Sequence, residues 1–156
     1  MMNKQRSITH GTFTLERTFP NAIPARVFAA FTPEGKAKWF GGPPDEWKQL
    51  KNEFEFRVGG RELQVGKHKS GVVSSFDCRY YDIVENERIV YAYEMHLDDK
   101  KISVSLATIE LKAEGTSTRL TMHEDGAFLD GYDDNGSRMR GTEALLDQLV
   151  AAVQGR

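Results

Sequence analysis

Alternation of apolar and polar residues dominates the first stretch of the chain. In "THGTFTLERTF", Phe13, Leu15 and Phe19 share one face with Arg17, and Thr12, Thr14, Glu16 and Thr18 share the other. That period of two predicts a half-buried strand. Pro20 ends it. Pro24 then opens a short helix over "ARVFAAF", with Val27, Phe28 and Phe31 on its inner face. Pro33 opens a second short helix over "EGKAKWF", which Gly41-Gly42 and Pro43-Pro44 close. Proline fits a first helical turn and glycine a helix end. "NEFEFRV" and "RELQV" predict two strands joined by a Gly59-Gly60 hairpin turn. Four longer strands follow, "GVVSSFDCRYYDIV", "RIVYAYEMHL", "KISVSLATIELKA" and "STRLTMHE", separated by the turns "ENE", "DDK" and "EGT". This order predicts an antiparallel meander.

The Asp98-Asp99 hairpin permits a register test. With Leu97 and Lys100 flanking the turn, Met95 faces Ile102, Tyr93 faces Val104 and Tyr91 faces Leu106. All the large apolar groups then fall on one face, as a buried register requires. Ile109 and Leu111 are out of phase with Leu106, which predicts a bulge near Ala107–Thr108 that curves the sheet. The chain closes with "SRMRGTEALLDQLVAAV", where Thr142, Leu145, Leu146, Leu149, Val150 and Val153 recur at helical spacing. Asn135 or Ser137 is the expected cap. Such a helix must lie on something apolar, and the face carrying Tyr91, Tyr93 and Met95 is the one large candidate. The predicted class is α+β: a strand, two short helices, a curved antiparallel sheet and a long closing helix. The expected organisation is a single domain over residues 1–156 with its core at about 10–154. A curved sheet gripping a helix leaves a gap between them, and small molecules favour such clefts.

Composition narrows the function. Charged residues make up 28% of the 156, the net charge is -2, and no long basic run occurs, which argues against a nucleic-acid partner. No apolar run approaches the ~20 residues of a membrane span, and "MMNKQRSITH" lacks the apolar core of a signal peptide. A cytoplasmic protein is expected. The single Cys78 cannot form an internal disulfide and reads as a small buried hydrophobe. His10, His68, His96 and His123 lack metal-ligand spacing, and "GAFLDGYDDNG" lacks the ligand pattern of a calcium loop. Phosphate-binding glycine motifs are absent too, so neither a metal nor a cofactor is expected. Oligomeric state leaves no signal.

Candidate chemistry gathers around the gap. In "FTPEGKAKWFGGPPDEW", Trp39 and Phe40 are placed to plug or line one mouth, and Trp47 reads as a half-exposed flap residue. The expected walls are Trp39, Phe40, Phe76, Tyr91, Tyr93, Met95, Val104, Leu106, Met122, Thr142, Leu145 and Leu149. Arg17, on the face of Phe13 and Phe19, and Glu124, where the last strand meets "DGAF", are the polar candidates for the cavity. A buried arginine needs a partner, which a carboxylate such as Glu124 or a ligand could supply. Glu16 and Glu94 fall on the polar strand face and form no acid pair.

"LERTFPNAIPARVFAAFTPEGKAKWFGGP" resembles the opening signature of the homologues of the heat-shock-protein-90 ATPase activator, and "YYDIVENERIVYAYEM" and "STRLTMHEDGAFLDGYDDNGSRMRGTEALLDQL" are similar to that family's later blocks. The likeness spans residues 12–153. It implies the START-like (SRPBCC) helix-grip fold, shared with polyketide cyclases and plant pathogenesis-related lipid binders. The function it implies is binding of a small apolar molecule, aromatic or acyl, between sheet and helix. The alternatives it carries are an enzyme of the cyclase or hydrolase kind, and a cofactor of a chaperone ATPase. An enzyme would draw on Arg17, Glu124, the tyrosines or His123. Many relatives carry Gly-Trp entering the last helix, where this chain has Gly141-Thr142, a change that could widen the cavity or alter what fills it. The extra N-terminal domain of the eukaryotic chaperone activators has no counterpart in this sequence.

Overall fold

A computed structural model describes residues 5–155; the first four residues of the polar N-terminal stretch lie outside the described part. Seven strands form one antiparallel sheet in the order β1-β7-β6-β5-β4-β3-β2, which brings the first strand back beside the last. They are β1 (Ile8–Phe19), β2 (Trp47–Phe54), β3 (Arg61–His68), β4 (Val73–Val84), β5 (Arg88–Leu97), β6 (Lys100–Glu114) and β7 (Ser117–Leu129). The helices are α1 (Pro24–Ala29), α2 (Pro33–Lys36) and α3 (Asn135–Val153). This is the helix-grip arrangement implied by the resemblance.

The short helices start where proline places them. Pro24 and Pro33 occupy their first turns, and the Thr32 hydroxyl accepts the Gly35 N–H of α2. Helical hydrogen bonding continues past α2, with Phe40 N–H donating to the Lys36 carbonyl at 3.0 Å. The cap of α3 is Asp134, whose carboxylate accepts the Ser137 N–H at 2.8 Å. Neither expected cap serves. Asn135 instead donates its side-chain amide to the Thr12 carbonyl at 3.0 Å. Its side chain presses so close to β1 that a Cβ on Gly11 would sit 2.3 Å from it, so only glycine fits at that point.

Two details of the sheet differ from the sequence reading. The β2–β3 connection is longer than a two-residue turn: β2 begins at Trp47 and ends at Phe54, leaving Glu55–Gly60 as the loop. The bulge in the β5–β6 hairpin also lies elsewhere. Leu97 does pair with Lys100, but His96 pairs with Lys101 and Met95 with Ser103, leaving Ile102 as the extra residue. From Ser103 onward the alternation is unbroken through Leu111. Tyr93 therefore faces Ser105, and Tyr91 faces Ala107. Val104 and Leu106 turn to the outer face, where they are 43% and 47% exposed. Further irregularities at Gln49/Lys51 and Tyr80/Asp82 add to the bending of the sheet.

The core fills the concave side. Phe19, Val27, Phe31, Leu120, Leu146, Leu149 and Val153 join the inner faces of β4–β7 in one cluster. Only the second half of α3 carries the residues sealed into this core, and that leaves space beneath its first half.

Candidate functional site

Cross-strand register stacks the inward residues into rows. The first row, Met122–Ile109–Ile89, is apolar; the second is Glu124–Ala107–Tyr91–Tyr80. The third row is Gly126–Ser105–Tyr93–Cys78–Glu62, and the fourth is Phe128–Ser103–Met95–Phe76–Gln64. Ala107, Ser105, Ser103 and Gly126 are small, and the Arg138 guanidinium and the Phe128 ring take up the room they leave. Beside them, between Phe76, Tyr91, Tyr93 and Met95 of the sheet and the first turns of α3, lies a cavity of about 670 Å³.

Its floor is aromatic. Phe76 and Tyr93 have ring centroids 4.8 Å apart, Phe40 and Phe76 5.1 Å, and Tyr91 and Tyr93 6.1 Å. Trp39 meets Phe40 edge-on and donates its indole N–H to the Ala30 carbonyl at 2.8 Å, which fixes the ring at the wall. Trp47 lies across Gly66, where a Cβ would meet the indole at 2.0 Å. The exposed lining residues Gly42, His68, Ser137 and Gly141 mark the rim.

Of the expected wall residues, Trp39, Phe40, Phe76, Tyr91, Tyr93, Met95, Met122, Thr142 and Leu145 line this cavity. Three do not. Val104 and Leu106 border a shallow depression on the outer face, because the bulge at Ile102 reverses their side. Leu149 is fully buried one turn deeper in the core. Glu124 lines the cavity, but Arg17 does not pair with it. The Arg17 guanidinium reaches α3 instead, donating to Asp147 at 3.0 Å and stapling β1 to the helix. His123 is on the outer face with Thr14 and Asp125. Trp47, expected as a flap, is the half-buried first residue of β2 and part of the wall.

Two buried polar clusters border the aromatic floor. In one, Lys36 Nζ donates to Glu62 Oε1 at 2.7 Å, Tyr80 donates its phenol O–H to the same oxygen at 2.6 Å, and Gln64 Nε2 donates to Glu62 Oε2 at 3.0 Å. Lys36 Nζ also stands 4.3 Å from the Phe40 centroid, a cation–π contact. Burial, with Glu62 beside it, holds the Tyr80 hydroxyl firmly protonated. Burial likewise pushes the Cys78 thiol up to about 12, so it is no thiolate nucleophile.

The second cluster centres on Glu124. Tyr93 donates to Glu124 Oε2 at 2.8 Å, and Arg138 Nη1 donates to the Tyr93 oxygen at 3.0 Å. Arg138 Nη2 donates to Ser103 at 2.7 Å and to Asp133 at 3.0 Å. Glu124 Oε1 is buried and accepts no hydrogen bond among the described residues. Burial raises the Glu124 pKa above its ordinary 4.5, against the opposing pull of Tyr93, Arg138 and Ser105. Tyr80 and Glu124 stand in one row three strand spacings apart, about 14 Å along the sheet.

Sequence reasoning passed over Lys36, Glu62, Gln64, Tyr80 and Arg138. Two of them had a signal. Lys36 precedes Trp39 and Phe40 by three and four residues, so it shares their helical face, and Arg138 stands one turn before Thr142 on the α3 stripe. Among the described residues, no group of three or more His, Cys, Asp or Glu side chains could hold a metal ion, and no helix is long and apolar enough to cross a membrane.

A family model described as Activator of Hsp90 ATPase homolog 1-like protein matches residues 21–154. The chain belongs to this family. Members of known structure are similar along nearly their whole length. An uncharacterized protein from Rhizobium leguminosarum is 42% identical, with a TM-score of 0.90 and coverage of 97% of this chain and 99% of its own. The Mll3558 protein from Rhizobium loti is 39% identical (TM-score 0.84), covering 94% and 99%. A protein of Chromobacterium violaceum is 31% identical (TM-score 0.74), covering 91% and 96%. No curated protein matches the chain. Family membership thus carries the fold, and the function has to be argued from the cavity.

Proposed function

We propose that this protein binds a small apolar molecule, aromatic or acyl, between the sheet and α3. One observation carries the reading: a cavity of about 670 Å³, floored by Phe76, Tyr91 and Tyr93 and bordered by Glu124, whose buried Oε1 has no hydrogen-bond partner among the described residues. Volumes of this size accommodate drug-sized ligands, and mostly apolar walls with a few fixed polar groups are what such sites share.

Trp39 and Trp47 both line the cavity and report its occupancy. A panel of lipids, flavonoids and polyketide-like aromatics, followed by tryptophan fluorescence and thermal shift, tests the reading. Binders are expected to change the emission and raise Tm together. Silence of both signals across the panel would remove it.

Glu124 favours a second reading, an enzyme of the cyclase or hydrolase kind. A carboxyl with a raised pKa and one free oxygen, inside an apolar cavity, has the attributes of a general acid or base. With a substrate in hand, Glu124→Gln and Tyr93→Phe are expected to abolish turnover; unchanged turnover in both excludes the reading.

A further inference from the structure

The formal charges around the cavity do not balance. Lys36 is matched by Glu62 at 2.7 Å and Arg138 by Asp133 at 3.0 Å. Glu124 is left as an additional carboxylate, 3.9 Å from an arginine that is already committed to Asp133, Tyr93 and Ser103. Its Oε2 takes the Tyr93 proton; its Oε1 accepts no hydrogen bond of normal geometry among the described residues, the Ser105 hydroxyl being near enough only to ease its ionisation, although the side chain is only 2% exposed. A buried acceptor left unpaired is costly, and a ligand donor removes that cost.

We propose that Glu124 Oε1 receives the hydroxyl of the ligand, so that the cavity selects neutral hydroxylated aromatics, phenols above all, over the corresponding carboxylic acids. This rests on the cavity reading and adds the ligand's polar head to it. A carboxylate has no proton to offer and would place a further negative charge beside the uncompensated one. An ammonium group would meet Arg138 alongside Glu124 and lacks an acceptor lone pair. A hydroxyl alone suits both forms of Glu124, donating to the carboxylate and accepting from the carboxylic acid. The aromatic body then has Tyr93 and Phe76 beside this head, on the adjoining rows of the sheet.

Calorimetric titration with biphenyl, 4-phenylphenol, biphenyl-4-carboxylate and 4-phenylbenzylamine at neutral pH tests the assignment. Wild type is expected to bind 4-phenylphenol about tenfold more tightly than biphenyl, as a hydrogen bond to a charged acceptor supplies. It should bind the carboxylate and the amine more weakly than the phenol. Glu124→Gln should reverse the order of phenol and carboxylate. Its amide oxygen can keep the Tyr93 bond while its NH₂ turns to the cavity, so the phenol can only accept there and keeps a smaller advantage over biphenyl, whereas the carboxylate gains most. Glu124→Leu should bind the phenol and biphenyl alike. Equal affinity of phenol and biphenyl in wild type, preference for the amine or carboxylate, or a phenol advantage unchanged in Glu124→Leu would each overturn the assignment while leaving the cavity reading intact. Failure of all four probes, biphenyl included, would overturn both. Biphenyl affinity in each variant checks that its cavity still folds.

Discussion

Lys36 and Glu62 are 4% and 0% exposed and bonded at 2.7 Å, so each is the other's replacement for water. Removing one leaves the other charged and buried, which typically costs about 3–5 kcal/mol. Lys36→Met should therefore lower the stability measured by denaturant unfolding by about that amount, and so should Glu62→Leu. The double variant should recover most of the loss, because it removes both charges and leaves aromatic neighbours to pack against. Additive losses would show that the two act independently. Glu124 behaves differently, since its cost comes from ionising in place. Its folded pKa lies above 4.5 because burial disfavours the charged form. Its contribution to stability is thus fully present below the unfolded value and is lost as pH rises through the folded one. The groups facing it are Tyr93 and Tyr91 from β5, Ser105 from β6, Asp125 from β7 and Arg138 from α3. Glu124→Gln, which cannot ionise, should gain stability relative to wild type as pH rises from 4 to 8, with no gain at the acid end. Thermal melts across that range measure the difference, and a constant offset would contradict the assigned direction.

At the scale of elements, the cavity depends on what α3 leaves out. Thr142 lies over it, 8% exposed, its hydroxyl returned to the Arg138 carbonyl at 2.9 Å. Thr142→Trp should project an indole into the hollow, abolishing binding of any aromatic found in the screen while leaving the far-UV spectrum unchanged and Tm within a few degrees. Retained binding would place the ligand elsewhere. The elements themselves were readable in the sequence because period-two and helical patterns persist wherever one face is buried, as in β1, β5 and α3. The phase of β6 was not. Two assignments put apolar residues inside: pairing Val104 and Leu106 with the tyrosines, or facing Ser103, Ser105 and Ala107 inward behind a bulge at Ile102. Hydrophobicity alone favours the first; the chain adopts the second, in which Ser103 and Ser105 accept from the Arg138 guanidinium and Ile109 and Leu111 stay in the core. β3 misleads in the same way. Leu63 and Val65 look like its buried face, but Glu62 and Gln64 turn inward to meet Lys36 and Gln49. The candidate site was therefore legible in its aromatic wall, where size and burial coincide. Its polar part was hidden, because burial of a charge depends on a partner distant in sequence: Lys36 and Glu62 are 26 residues apart, and Tyr93 and Glu124 are 31 apart.

For the whole molecule, the sheet and α3 are joined unevenly. Leu146, Leu149 and Val153 fix the second half of the helix in the core, whereas the first half spans the cavity and is held to the sheet by Asn135 and Arg138 through polar contacts. Less apolar burial means a lower local opening free energy, so the amides of residues 138–142 should exchange faster than those of 146–153. A ligand bridging the sheet to this half closes the gap and binds the folded state alone. At a free concentration one hundred times its Kd it stabilises by about 2.7 kcal/mol. A chain of this length gains about 2–4 °C per kcal/mol, so Tm should rise by roughly 5–10 °C. Protection should rise most at residues 138–142, and Thr142→Trp should show neither effect. A ligand that raised Tm without slowing exchange in that segment would be bound away from the grip, since protection there follows from filling the space between the helix and the aromatic floor of Phe76, Tyr91 and Tyr93.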